Sequence, residues 1–262
     1  MKRARCCSLI GLLFSAALLA EPVAVRHMEG TVHGFLVLRN MERKTLAAGD
    51  LIQIVQGDRL VSNLVFHFKD GSVDDETTVF SQRRTFRLLS YHHVQKGPSF
   101  PHPLDVSINA STGQVTTRST DGGKEKVETD HLDLPPDLAN GLLLNLLKNL
   151  PADAAETKVS YVASTPKPRL VKLAIRPQGE ETFWAAGARH KATLYNIKVE
   201  LGGLTGVVAP LIGKQPENIR VWVIGGKAPA FVRMEGQLFQ GGPIWTIELT
   251  SPVWEKPKTS RK

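Results

Sequence analysis

Three of the chain's eight histidines fall within thirteen residues that end at His102. Histidine is a common metal ligand and general base, so this spacing first suggests metal or catalytic chemistry. His92 and His93 are adjacent, however, and adjacent side chains of a strand point to opposite faces of its sheet. A metal site would need one of them, His102 and a distant third ligand such as His67 or Asp74. We therefore expect partly exposed strand histidines and no metal.

Three consecutive carboxylates, Asp74, Asp75 and Glu76, follow the Asp70-Gly71 turn. An EF-hand places its ligands two residues apart, then a glycine, then a glutamate, whereas the glycine here precedes the acids. In a strand the three side chains would also be divided between two faces. We expect a solvated strand face and no calcium site.

Other catalytic patterns fail on spacing. Six residues, not four, separate Gly206 from Gly213, and Gln215 stands where a phosphate loop needs Ser or Thr. The chain has no Gly-x-Ser-x-Gly nucleophile elbow. We predict that the protein is not an enzyme and uses no cofactor. A hydrolase would need a polar cluster made by the fold, such as His93 or His131 against a carboxylate in a cleft.

Short strand-like segments separated by turn residues dominate the sequence from Leu60 onwards. Leu60–Phe68 ends at Asp70-Gly71, a strong hairpin signal, and Ser72–Phe80 returns. Thr193–Leu201 alternates apolar and polar residues most regularly. The pattern predicts a mainly β (α+β) fold in which an antiparallel meander forms a half-barrel or barrel around one central helix. The other predicted strands are Thr85–Gln95, Leu104–Asn109, Gln114–Ser119, Lys124–Leu132, Thr157–Ala163, Leu170–Ile175, Ile219–Ile224, Phe231–Phe239 and Ile244–Leu249.

The helix is predicted over Leu134–Leu150. Prolines suit its first turn, and Pro151 ends it. At helical pitch its leucines cover about half of the circumference, which suits a helix held by a curved sheet. These leucines are Leu138, Leu142, Leu143, Leu146, Leu147 and Leu150.

Two further segments bear on a ligand site. The glycine-rich stretch Gly202–Pro216 is apolar and suits a hairpin, a loop tucked into the core, or a flap over a cavity. Trp222 lies in a segment that is apolar on both faces, so its ring either packs in the core or lines a pocket. We name Leu142, Leu146, Trp184 and Trp222 as candidate ligand-lining residues.

The N-terminus has the pattern of a signal peptide. A basic start precedes the apolar run Leu9–Leu19, which is well short of the roughly 20 residues that span a bilayer. Cleavage after Ala17 or Ala20 fits, so we expect a periplasmic or extracellular protein. Both cysteines lie inside this segment, which leaves the remainder without disulfides and dependent on core burial. The predicted division is a signal peptide over 1–20, one β-rich domain over 21–254 and a basic tail over 255–262.

The charge distribution argues against one class of partner. The formal net charge is +8, of which 3 positive charges belong to the signal segment, leaving +5. Part of that excess lies in the tail, which either is solvated or contacts anionic lipid headgroups at a membrane surface. No basic stripe with interleaved aromatic residues is present, so nucleic acid is not an expected partner. The basic residues of the tail are Lys256, Lys258, Arg261 and Lys262.

The order of these elements resembles that of the lipoprotein-carrier-like half-barrels of the LolA and LolB type. It is also similar to a family of uncharacterised bacterial envelope proteins. The likeness rests on the meander–helix–meander order and on two segments, Gly187–Glu200 and Arg220–Phe239. It brings no catalytic residues with it. Cys6 and Cys7 precede the apolar core, so the lipid anchor of LolB has no counterpart here.

Two functional hypotheses follow. The first is an exported, non-enzymatic binding protein whose sheet and helix enclose an apolar or lipid-like ligand. The second is a structural or assembly factor of the envelope that offers a sheet edge or the basic tail to a protein partner.

Overall fold

The computed structural model describes residues 22–121, 124–164, 167–185, 188–200 and 216–251. Within these ranges, residues 120, 121, 184 and 185 are described by their backbone alone. The predicted signal peptide, the basic tail and all of the Gly202–Pro216 segment except Pro216 lie outside the described residues. The cleavage site, the flap and the tail contact therefore stay predictions.

The described residues form fourteen strands and one short helix, which confirms the predicted mainly β fold. Between the last strand of the first half and the first strand of the second half lies the helix α1, Leu143–Asn149. The strands are β1 Val32–Asn40, β2 Thr45–Gln56, β3 Arg59–Phe68, β4 Val73–Gln82, β5 Phe86–Lys96, β6 Leu104–Asn109, β7 Gln114–Asp121, β8 Lys124–His131, β9 Thr157–Ala163, β10 Arg169–Ala185, β11 Ala188–Glu200, β12 Ile219–Ile224, β13 Ala230–Gln237 and β14 Ile244–Thr250.

All fourteen strands belong to one antiparallel sheet that does not close. Its order is β8 to β1, then β14 to β9, so the first and last strands pair in the middle. The two free edges are β8 and β9, and the connection that carries α1 joins them. This order places the helix where the curved sheet remains open.

Strands β1 and β2 were not among the predicted strands. The start of β2 reads Thr-Leu-Ala-Ala-Gly, in which Ala and Gly are weak strand formers. Gly49 is required by packing, because a Cβ there would lie 2.4 Å from the Phe66 ring on β3. A glycine that lets an aromatic ring lie over it is a known device of curved sheets. The absence of a side chain at Gly49 therefore allows the Phe66 ring to pack closely. It also interrupts the alternation of apolar and polar residues by which β2 could have been predicted.

The predicted helix is correct only in its second half. Residues 134–142 are irregular, and Gly141 has a φ of +68°, which a helix does not allow. Instead, this segment runs beside the free edge of β9, where the Ala139 N–H donates to the Ser160 carbonyl at 2.8 Å. Asn140 bonds both backbone groups of Val162 through its side chain. Asp and Asn side chains can form hydrogen bonds that compete with those of a helix. The first half of the predicted helix therefore bonds to the edge of β9 and is not helical.

A buried polar cluster fixes that edge. Ser160 donates to Asp137 at 2.8 Å, and Lys172 donates to Ser160 at 2.7 Å and to Asp137 at 3.1 Å. A serine beside a lysine can be a nucleophile with its base. Here Ser160 is fully buried, and its hydroxyl proton is committed to Asp137. We assign the cluster a structural role.

The main core lies on the concave face of the sheet, around the helix. Leu142, Leu146 and Leu147 are buried there with Phe66, Phe80 and other residues of both halves of the sheet. Helix and sheet thus bury one another's apolar surface, as the wide leucine arc predicted. A smaller cluster lies on the convex face, made by Ala192, Leu194, Trp222 and Val232. No helix among the described residues is long and apolar enough to cross a bilayer.

Candidate functional site

Across strands β2 to β5, the concave face carries a row of side chains that solvent reaches. Leu51, Leu64, Glu76 and His93 are successive cross-strand partners on β2, β3, β4 and β5, and each is partly exposed. We call these four residues the concave row. The rows on either side of it are buried: Gly49, Phe66, Asp74 and Gln95 on one side, and Gln53, Ser62, Thr78 and Tyr91 on the other.

His93 is paired with a buried aspartate. Its Nε2 donates to Asp74 Oδ1 at 2.6 Å, and the side chains are 14% and 9% exposed. Gln95 donates to the other oxygen of Asp74 at 3.2 Å and to the Leu238 carbonyl at 3.0 Å. Burial alone would lower the pKa of His93, but the hydrogen bond and charge of Asp74, helped by Glu76, raise it above the usual value.

Glu76 belongs to a second hydrogen-bonded group in the same hollow. Tyr91 donates to Glu76 Oε2 at 2.9 Å, and Tyr161, on the distant strand β9, lies close enough to both to influence their electrostatics. Burial raises the pKa of Glu76, although His93 and Tyr91 act against the rise. Burial also raises the pKa values of both tyrosines, so both stay neutral donors. The sheet thus brings together β5 and β9, which lie ten places apart in its order.

Packed groups close the hollow on two sides of this polar cluster. Beyond Gln95, the rings of Phe68, Phe100, Phe239 and Trp245 meet at centroid distances of 5.3–6.1 Å, mostly edge to face. Beyond Tyr91, the chain at Gly141 presses on Thr78, where a Cβ would lie 1.9 Å from Thr78 Oγ1. The concave row therefore lies between an aromatic plug and the start of the helical segment.

The expectation of a solvated carboxylate face is wrong for two of the three acids. Asp74 is 7% exposed and Glu76 is partly buried, both on the concave face, whereas Asp75 points outward and accepts from Asn63 at 2.8 Å. Both histidines are partly exposed, as expected, but His93 only slightly, because its side chain is 14% exposed and that of His92 is 49% exposed. The strand alternation itself is as predicted, but curvature decides which face becomes the interior.

The cluster does not have the make-up of a metal site or a nucleophilic triad. Among the described residues, no group of three or more His, Cys, Asp and Glu side chains is arranged to hold a metal ion. His102 is exposed in the loop after β5, and His131 is exposed on β8. The contact of His93 with the Asp74 carboxylate is one of the features that a hydrolase would need. Within the described ranges, however, no Ser or Thr hydroxyl bonds to His93 as a nucleophile would.

The candidate lining residues are divided between the two faces. Leu142 and Leu146 are 1% and 3% exposed on the concave side, against the core. Trp222 is on the convex face, where its Nε1 donates to Glu181 at 2.8 Å. The side chain of Trp184 lies outside the described part of the chain. The described geometry does not bring Trp222 together with the two leucines.

Sequence reasoning missed Glu76, Tyr91, Tyr161 and the role of His93. A signal was present: Asp74 and Glu76 are two apart, as are Tyr91 and His93, on the two strands of one predicted hairpin region. The alternation would have placed these four side chains on one face. Valines on the opposite face of both strands made that face look equally suited to the core.

The fold and site together define an open antiparallel β half-barrel with a polar cluster in its hollow. No family model matches the chain, and no curated protein matches it. Two solved structures are similar in outline. A beta-barrel-like protein of domain of unknown function DUF1849 from Brucella abortus has 10% identity and a TM-score of 0.48, covering 87% of this chain and all of that one. The hypothetical lipoprotein YmcC from Escherichia coli has 8% identity and a TM-score of 0.34, covering 87% of this chain and 91% of that one.

Proposed function

We propose that this protein is a non-enzymatic binding protein that holds an amphipathic, lipid-like ligand in the hollow of its half-barrel. The observation that carries the proposal is the concave row, in which two leucines and two ionisable groups are reached by solvent between buried rows. A binding site for such a ligand needs an apolar lining and a few fixed polar groups. The concave row has both.

The polar end of the ligand would lie against Glu76 and His93. Both are held in place by hydrogen bonds, His93 by Asp74 and Glu76 by Tyr91. His93 Nδ1 makes no hydrogen bond with any described residue, so it remains to contact an acidic headgroup. The apolar end would lie against Leu51 and Leu64, with Leu142 and Leu146 closing the helical side.

Export, expected from the N-terminal segment, would put this site in the cell envelope, where lipid-like ligands are abundant. The order of the elements also resembles that of the lipoprotein-carrier-like half-barrels of the LolA and LolB type. Both considerations support a lipid-like ligand over a water-soluble one.

A pair of tryptophan substitutions on one strand tests the proposal. Leu51→Trp fills the hollow, whereas Ile52→Trp puts the same ring on the convex face, where Ile52 is 40% exposed. We expect Leu51→Trp to weaken binding of a fluorescent fatty acid by at least about tenfold, since it removes the ligand's space. Ile52→Trp should bind as the wild type does, and melting curves should show both variants folded.

Native mass spectrometry of protein purified from its own envelope supplies the second readout. The wild type and Ile52→Trp should carry a lipid mass that Leu51→Trp lacks. Protein that is free of ligand and takes up no fatty acid would contradict the proposal.

The open edge of the sheet supports a second candidate, an assembly role through protein contacts. Strand β8 is exposed at nearly every position, while β9 is covered by residues 137–140. Alternating Lys124, Glu125 and Lys126 oppose indiscriminate pairing at that edge, so a partner strand would need matching charges. Crosslinking in the source cell through an introduced cysteine in β8 would give a specific protein adduct under this candidate and none under the first.

A further inference from the structure

A groove on the convex face has the chemistry of an anion site. It has a volume of about 340 Å³, and Arg39, Arg43, Arg233 and Glu248 supply its charges. We call this feature the arginine groove. It lies on the opposite face from the concave row, because Arg39 pairs with Thr246 next to the inward pair Leu38 and Ile247. It is therefore independent of the proposed function.

The charges of the arginine groove do not balance. When the bordering pair Arg220 and Glu235 is included, four guanidinium groups share two carboxylates, which leaves an excess of two positive charges. Glu248 is shared: it accepts from Arg39 at 3.2 Å and lies 4.0 Å from Arg233 Nε. Two carboxylates, Glu235 and Glu248, cannot satisfy all the donors of four guanidinium groups.

Arg233 is held in a fixed position. Its guanidinium lies 5.1 Å from the centre of the Trp222 ring and donates to the buried carboxylate of Glu235. Its Nε is buried without a hydrogen-bond partner. A guanidinium fixed in this way is suited to binding an anion through its exposed N–H groups, because little side-chain entropy is lost on binding.

Arg43 is held in place at a conformational cost. It lies in the β1–β2 turn with a φ of +66°, a conformation that favours glycine or asparagine, and it is the one non-glycine residue with positive φ among the described residues. Its backbone N–H donates to the Asn40 carbonyl at 2.9 Å, which closes the turn. Strained residues of this kind are often found where a side chain has a function.

We propose that the arginine groove binds a phosphate group, either as a small soluble phosphate compound or as part of a phospholipid headgroup. Guanidinium groups match the paired oxygens of phosphate, and two negative charges would balance the excess. A water occupies about 30 Å³ of liquid, so the groove has room for a phosphate with several waters.

Three substitutions test this proposal by titration calorimetry with inorganic phosphate and glycerol phosphate, and by sedimentation with phosphatidylglycerol or phosphatidylcholine vesicles. Arg43→Gly should weaken phosphate binding at least about fivefold while the melting temperature stays unchanged or rises, because glycine suits the turn. Lys44→Ala removes an equal charge from the same turn but outside the lining, and should change affinity less than about twofold. Glu248→Gln should strengthen binding, since it removes the competing carboxylate.

The vesicle arm separates the two sources of phosphate. Binding of both soluble compounds that falls in Arg43→Gly supports the soluble ligand, and binding only to phosphatidylglycerol vesicles that falls in the same variant supports the headgroup. Equal losses in Arg43→Gly and Lys44→Ala would indicate diffuse charge attraction and overturn the proposal. Binding to neither probe would overturn it as well.

Discussion

His92 and His93 are neighbours on one strand, and each bonds to an aspartate on an adjacent strand, yet their environments differ. On the convex face His92 lies 3.0 Å from Asp105, with side chains 49% and 32% exposed. On the concave face His93 lies 2.6 Å from Asp74, with side chains 14% and 9% exposed. The same pairing is thus a solvated surface contact on one side and part of an interior network on the other. Sheet curvature, not residue type, decides which histidine belongs to a site.

The largest difference in stability between the two faces is expected for substitutions of two glycines that have the same backbone conformation. Gly141 and Gly57 have φ values of +68° and +66°, but only Gly141 faces the concave wall, at Thr78. We expect Gly141→Ala to lower the free energy of unfolding by about 3 kcal/mol, from backbone strain plus overpacking. Gly57→Ala, with nothing within 4 Å of its Cβ, should cost about 1 kcal/mol. Urea unfolding measures both, and equal costs would mean that Gly141 does not hold the helical segment against β4.

The second largest difference in unfolding free energy is expected between substitutions of the two histidines. His93→Ala leaves the buried Asp74 with Gln95 alone, and we expect a loss of about 2 kcal/mol in unfolding free energy. His92→Ala removes an exposed pair and should cost less than about 0.5 kcal/mol. Urea midpoints of the two variants give the comparison. If both substitutions lowered the free energy of unfolding equally, the hydrogen bonds of His93 in the interior would contribute no extra stability.

A smaller effect is expected in the pH dependence of stability. The pKa values of His93 and Glu76 are both raised in the folded protein, so the folded state binds more protons than the unfolded state. Stability from these groups is present at low pH and is lost as pH rises from about 5 to 8. The carboxyls with lowered pKa values, Asp70, Glu128 and Glu156, titrate below this window and do not oppose the trend.

His93→Gln should flatten this pH dependence, and His92→Gln should leave it as in the wild type. Urea midpoints measured across the window give the slopes. A slope that survives in His93→Gln and disappears in His92→Gln would reverse the assignment of the interior histidine.

Much of the sheet could be predicted from sequence, because alternation and turn residues are local signals. Asp70-Gly71 fixed one hairpin, with Gly71 at a φ of +86°, and strands β6, β9 and β12 begin and end as predicted. Strand β2 was missed in part because Ala47 and Gly49, which are weak strand formers, are required by packing against other strands. Such contacts are not local in sequence.

The candidate site was less predictable for the same reason. The concave row needs the register of β2, β3, β4 and β5 together, and Tyr161 reaches Tyr91 only because the sheet curves. The first half of the predicted helix failed because the β9 edge offered its backbone better partners than a helix would. The periodicity of a sequence describes a single strand or helix. The concave row and the end of the helix depend on contacts between two or more of these elements.

The most direct test of the concave row as a ligand site is nuclear magnetic resonance mapping of palmitate binding. The side-chain signals of Leu51, Leu64 and His93 should shift on titration, while those of their strand neighbours Ile52, Val65 and His92 should not. This alternation along three strands is what occupancy of the hollow predicts. Shifts confined to Ile52, Val65 and His92, or no shifts on either face, would contradict it.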